Sequence, residues 1–282
     1  MTVRRYLQID VFSRQAGAGN PLGVVTDAAD LPPERMQALA AWLNLSETVF
    51  FLPPEAGADY RIRIFTPVME LPFAGHPSVG AAWAAMQLGL VTPRNGALVQ
   101  QCGAGLLPVQ LSGPRHDLRA SVRSPRAQRR DLAPPPLPAA LAQIATGPAE
   151  LWNNGPDWWL VEVRDEAALR ALKPDFAAIA ALPGNGKLAA YAPCDGANGY
   201  QVAVRGFAPG VGVPEDPVTG SANALVAARL AAQGRFPGEG RYLASQGREV
   251  GRDGRVRVEL DADGQVWIGG QVQPVIDGHL DW

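Results

Sequence analysis

The chain has 282 residues, 47% of them hydrophobic, and a formal net charge of -2. That length and apolar content suffice for a sizeable core, divided over about two domains. The near-neutral balance supplies no basic field of the kind that holds nucleic acid, which leaves a small molecule as the expected partner.

The opening MTVRRYLQIDVFS lacks a run apolar enough for a signal peptide, and no later stretch reaches about 18 uninterrupted apolar residues. A cytoplasmic protein without a membrane segment is expected. Cys102 and Cys194 stand far apart, neither beside a histidine nor in a CxxC pair, so they read as buried structural thiols, not as a metal or redox site. Lys173 and Lys187 are the only lysines, which leaves few amines for a Schiff-base cofactor; neither cofactor nor metal is expected.

In chain order, period-two alternation marks strands at Leu7, Ile9 and Val11, at Ile62 and Ile64, at Val202 and Val204, at Val256 to Leu260, and at Val266 and Ile268. Helical spacing predicts helices at Glu34 to Leu43, Val79 to Leu90, Leu137 to Ala145, Asp175 to Leu182 and Ala222 to Gln233. This is an α+β pattern without regular βαβ alternation. The stretch RSPRAQRRDLAPPPLP, from Arg123 to Pro138, combines prolines and arginines without apolar periodicity and suits an exposed connection. A lobe boundary is placed near it, dividing the chain into 1–120, completed by 270–282, and 121–269.

Two segments repeat. IFTPVMELPFAGHPSVGAAWAAM and GFAPGVGVPEDPVTGSANALVAA share Phe-x-Pro, a Gly/Pro turn and an alanine-rich helix, with Phe65 matching Phe207 and Gly75 matching Asp216. A duplicated unit would give two equivalent helix starts facing an interdomain cleft, a favoured place for a ligand. Each turn brings backbone N–H groups to a helix N-terminus, where a carboxylate is welcome. His76 could donate a hydrogen bond or relay a proton, against the plainer reading of a turn histidine bonded to backbone. Asp216, with Thr219, Gly220 and Ser221, could be no more than a turn and helix cap, and taken alone that is the stronger reading. Glu47, in LNLSETVFFLPP, enters an apolar strand-like run, where proton transfer competes with the ordinary role of a solvent-facing strand residue. GAGNPLG, Gly17 to Gly23, has GxGxxxG spacing where a dinucleotide site needs GxGxxG, and no helix opening follows it. GNGK at Gly184 to Lys187 reads as a turn.

Taken together, DVFSRQAGAGNPLGVV, LNLSETVFF, IFTPVMELPFAGHPSVGAA, FAPGVGVPEDPVTGSA and SQGREVGR followed by VWIGG resemble the PhzF, or phenazine-biosynthesis-like, family, related in fold to diaminopimelate epimerase. The resemblance spans nearly the whole chain. It implies two pseudo-symmetric lobes, each a curved, mostly antiparallel sheet wrapped around a central helix, with the last strand returning to the first lobe. It also implies a homodimer and a cofactor-independent isomerase. In that family the glutamate of the NLSE motif, here Glu47, carries a proton between carbons of a small carboxylated, amino-acid-like substrate. By the same resemblance His76 and Asp216 position and polarise the substrate, while Gly75, Gly220, Ser221 and Asn20 bind it. The family's defined reaction isomerises a dihydro-hydroxyanthranilate. The related epimerases carry a cysteine at each helix entrance, and here those entrances read Gly75-His76 and Asp216-Pro217, which disfavours two-thiol racemisation. Two alternatives stay open: a noncatalytic metabolite-binding protein, and an epimerase using Asp216 as its second acid/base.

Overall fold

The structure, a computed structural model, describes residues 2–282. The described residues divide into two compact units, one of residues 2–123 with 269–282, the other of residues 124–268.

In the first unit, eight strands precede the boundary: β1 (Val3–Val11), β2 (Asn20–Val25), β3 (Glu47–Leu52), β4 (Tyr60–Phe65), β5 (Glu70–Leu71), β6 (Ala97–Cys102), β7 (Gly105–Ser112) and β8 (Arg119–Arg123). Two helices, α1 (Pro33–Leu43) and α2 (Gly75–Gln87), are inserted among them. Pairing runs β1 to β2 antiparallel, β2 to β3 parallel, β3 to β4 antiparallel, β4 to β6 parallel, then β6 to β7 and β7 to β8 antiparallel.

The second unit holds β9 (Gln128–Arg129), β10 (Glu150–Asn153), β11 (Asp157–Glu162), β12 (Leu188–Pro193), β13 (Val202–Ala208), β14 (Val213–Asp216), β15 (Arg241–Gln246) and β16 (Gly254–Leu260). Its helices are α3 (Ala139–Ala142), α4 (Glu166–Ala171), α5 (Phe176–Ala180) and α6 (Gly220–Ala232). From β10 to β16 the pairing repeats the first unit's sequence: antiparallel, parallel, antiparallel, parallel, antiparallel, with β14 added to β13 as β5 is to β4. The last strand, β17 (Val266–Asp281), pairs antiparallel with β1 and is also paired with β8, which closes the first unit's sheet into a barrel.

The barrel encloses α2, whose residues from Gly75 to Ala85 are all buried. A helix enclosed by sheet on all sides must be apolar all round, and GHPSVGAAWAAMQ is built that way. Small residues also set how closely it lies: a Cβ on Gly80 would run into Leu22, Val11 and Ile9 of β1 and β2. In the second unit α6 is buried from Gly220 through Leu230 apart from Ser221 and Ala228, and packs on β11 and β16. Outside the sheets lie separate cores. Met36, Leu39, Phe50 and Phe65 pack under α1, and Trp159, Leu169, Ile179, Tyr200 and Phe207 pack under α4 and α5. β13 is covered on both faces and buried at every residue.

The helix starts differ from the sequence reading. α2 begins at Gly75, not Val79, and α6 at Gly220, not Ala222. Gly-His-Pro-Ser has turn composition, yet Pro77 occupies a position where no N–H is needed. His76 is therefore a helix residue and not a turn residue. α4 was not legible: it is six residues long and is fixed by Asp165, whose side chain accepts the Ala168 N–H at 2.7 Å. GAGNPLG leads into β2 with no helix after it, and GNGK forms a turn with Asn185 at φ 68. No helix among the described residues is long and apolar enough to cross a membrane.

Candidate active site

Glu47 is the first residue of β3 and stands opposite Leu22 in the parallel pairing with β2. Leu22 faces Gly80 of α2. Asn20, two residues earlier on β2, shares that inward face by the alternation of the strand and is fully buried. His76 is the second residue of α2, and its Nδ1 lies 3.1 Å from Glu47 Oε2, with side-chain exposures of 5% and 17%. Glu47 is thus not a solvent-facing strand residue, and the imidazole meets a carboxylate, not a backbone group.

That contact has ion-pair distance but not the in-plane geometry of a ring N–H donor. Glu47 Oε2 and His76 Nε2 are both buried without a hydrogen-bond partner. Native structures leave few such groups, because an unsatisfied buried polar atom costs about 1–3 kcal/mol. An acid/base group needs a lone pair that the protein itself does not occupy, and Glu47 keeps one. The N–H groups of Gly75 and His76 open the first turn of α2, whose N-cap, Ala74, has no side-chain cap.

In the second unit Asp216 ends β14, and Gly220 and Ser221 begin α6. Thr219 is the N-cap, but its side chain makes no cap bond; its hydroxyl donates to Asp216 Oδ2 at 2.7 Å. The N–H groups of Gly220, Ser221 and Ala222 begin the helix without an intrahelical acceptor. Ser221 Oγ accepts the Trp158 indole N–H at 3.1 Å and retains its own proton for donation. Glu215, one residue before Asp216, is gripped by Arg205 through two bonds of 2.9 and 2.8 Å, at 6% and 3% exposure. Arg205 also donates to the Leu169 and Leu172 carbonyls.

Sequence reasoning missed the residues behind these turns. Gln246, at the end of β15, bonds to Asp216, Thr219 and Asn223, all within 3.0 Å. Gly206 leaves room for this cluster, since a Cβ there would press on Thr219 Oγ1 and Gln246 Nε2. In the first unit Tyr60, Gln100 and Ser78 form a second buried chain. A signal was present: Ser78 and Asn223 are polar residues inside alanine-rich, buried helices.

The cysteines lie elsewhere. Cys102 ends β6 and is buried; Cys194 follows β12, half-buried, with Sγ 3.4 Å from Glu166 Oε2. Burial pushes both thiols up, Cys194 to about 12, away from the thiolate that acid/base chemistry by cysteine needs. A cavity of about 460 Å³ in the first unit is lined by Arg5, Trp83, Gln87, Arg115, His116 and Asp117, at the C-terminal end of α2 and not at its entrance. Its charges are largely engaged, Arg5 with Asp277, Asp117 with Arg119, and Arg115 with the Gln87 carbonyl.

Known proteins share this architecture and sequence. A trans-2,3-dihydro-3-hydroxyanthranilate isomerase from Pseudomonas aeruginosa is 38% identical over 93% of this chain and 92% of its own length. Antisense-enhancing sequence 1 from Schizosaccharomyces pombe is 32% identical over 99% of both chains. The crystal structure of a PhzF-family phenazine biosynthesis protein from Bacillus anthracis superposes with a TM-score of 0.84, at 26% identity and 100% coverage of both chains. The model of the PhzC-PhzF family, described as phenazine biosynthesis-like protein, matches residues 9–278, and the chain belongs to that family.

Proposed function

We propose that this protein is a cofactor-independent isomerase that moves a proton between two carbons of a small, cyclic, carboxylated amino-acid-like substrate, with trans-2,3-dihydro-3-hydroxyanthranilate as the first candidate. The isomerase class is supported by the 38% identical Pseudomonas aeruginosa relative. The observation that carries the chemistry is the buried Glu47 carboxylate, with one oxygen unbonded and in contact with His76.

On this reading Glu47 takes the proton from a substrate C–H, leaving the electron pair delocalised along the adjacent unsaturation, and returns it to the carbon at the other end of that system. His76, beside that carboxylate, positions and polarises the substrate. In the second unit Asp216 takes a hydrogen bond from a substrate donor group and Gly220 and Ser221 offer backbone N–H groups to a carboxylate, as Gly75 does in the first unit. Asn20 adds a polar contact. The protein acts as a cytoplasmic homodimer.

Incubation with the candidate substrate in heavy water tests this directly, with deuterium at carbon followed by NMR. Wild type should isomerise the compound and incorporate label, and Glu47→Gln should not. Equal exchange by both proteins would remove Glu47 from the mechanism. Product of unchanged connectivity but inverted configuration would replace isomerisation by epimerisation.

A further inference from the structure

A peptide unit is planar, so holding one residue's carbonyl fixes the direction of the next residue's N–H. At the α6 entrance the Thr219 carbonyl is held twice by Asn223, by its backbone N–H at 3.1 Å and by Nδ2 at 2.9 Å. The N–H of that same peptide belongs to Gly220, the first residue of the helix. Asn223 is kept in place by Gln246, whose Oε1 accepts the other Nδ2 hydrogen at 2.8 Å and the Thr219 N–H at 3.0 Å. Gln246 Nε2 donates to the Thr219 hydroxyl at 2.8 Å and to the Asp216 carbonyl at 3.0 Å. The hydroxyl donates its own hydrogen bond to the Asp216 carboxylate.

All four hydrogen-bonding functions of the Gln246 amide are thereby used, and each ends on a residue between Asp216 and Asn223. Packing does not ask for this. A buried amide in an apolar surround is costly unless satisfied, and an aliphatic side chain would fill the volume without that demand.

The first unit contains the same device in different residues. The Ala74 carbonyl is held by Ser78 through its N–H at 3.2 Å and its hydroxyl at 2.9 Å. Gln100 Nε2 supports that hydroxyl at 2.9 Å, and the Tyr60 hydroxyl supports Gln100 at 3.1 Å. The N–H aimed there is that of Gly75. In both units the N-cap carbonyl takes a side chain from four residues on, and a buried glutamine from a neighbouring strand stands behind it.

We infer that Gln246 is a positioning residue for the reaction. Through Asn223 and Thr219 it aims the Gly220 N–H at a substrate carboxylate and the Asp216 carboxylate at a neighbouring donor on the same substrate. This rests on the isomerase reading above.

The test uses the full chain, with kcat and KM for trans-2,3-dihydro-3-hydroxyanthranilate and calorimetric binding of three non-reacting probes: anthranilate, methyl anthranilate and benzoate. Wild type should prefer anthranilate over its ester by about tenfold, the loss of a charge-assisted hydrogen bond. Gln246→Leu, shown folded by its thermal transition, should lose that preference and raise KM more than it lowers kcat. Gln246→Glu keeps both acceptor bonds and loses both donors; it should keep the acid preference and lose the preference for anthranilate over benzoate. Should Gln246→Leu fail to fold, that second comparison decides alone. A folded Gln246→Leu with wild-type discrimination overturns the positioning role and leaves the isomerase reading intact. A wild type that isomerises but does not distinguish acid from ester overturns the positioning role too, whereas no isomerisation and no probe binding by wild type overturns the isomerase reading itself.

Discussion

Replacing Glu47 by glutamine should abolish turnover and, at the same time, make the protein more stable. The side chain is only 17% exposed, and its Oε2 has no hydrogen-bond partner although His76 Nδ1 lies 3.1 Å away. A buried, unsatisfied polar atom costs about 1–3 kcal/mol, at the upper end when charged. An amide of the same shape carries no charge and recovers part of that cost, so a gain of about 1 kcal/mol is expected. For a unit of this size that is a rise of roughly 2–4 °C in Tm. Loss of a general acid/base lowers the rate by about 10²–10⁴-fold. Calorimetric unfolding paired with NMR detection of deuterium incorporation reads both quantities on one preparation. Lost activity together with a fall in Tm would mean that the Glu47–His76 contact holds the fold together, and the assignment of a held-open lone pair would be wrong.

Arg205→Met should destabilise the second unit by about 3–5 kcal/mol, because Glu215 is left buried without its partner. Adding Glu215→Leu should recover most of that loss in denaturant titrations. Gly80→Val should cost about 1–3 kcal/mol by overpacking α2 against Leu22 and Val11. The hydrogen bonds from Arg235 hold Glu162 below its ordinary value of 4.5. A depressed folded pKa adds stability above 4.5 that is lost as pH falls through the folded value, so Glu162→Gln should flatten the acid limb of a Tm-against-pH curve. With Cys194 pushed up to about 12, an aromatic disulfide reagent at pH 8 should label it far more slowly in the native protein than after unfolding, with turnover unchanged during the native phase.

The sequence carried the duplicated turns, because glycine, proline and alanine-rich helices repeat legibly, and it carried Glu47 through the NLSE motif. What it did not carry were partners supplied from distant strands. Gln246 lies 27 residues from Thr219, and Gln100 lies 22 residues from Ser78, so no local pattern joins them. Helix starts were misplaced for a related reason. Gly75 and Gly220 have poor intrinsic propensity, and only the surrounding sheet makes helix the best solution there. The Arg205–Glu215 pair was equally hidden, since arginine in a strand ordinarily signals solvent and here every residue of that strand is covered.

The last strand has a consequence for biosynthesis. The barrel around α2 closes only when β17 lies against β1, where Val3 is opposite Asp281 and Val11 opposite Val272. The residues that make this seam leave the ribosome after the whole of 124–268 has been made. At about 5–20 residues per second, the first unit waits roughly seven to thirty seconds with its seam open. The contiguous second unit has no such delay. Vectorial order is thereby inverted: the half that begins the chain finishes last, and in that interval the free edge of β1 is the nascent protein's exposed liability to mispairing.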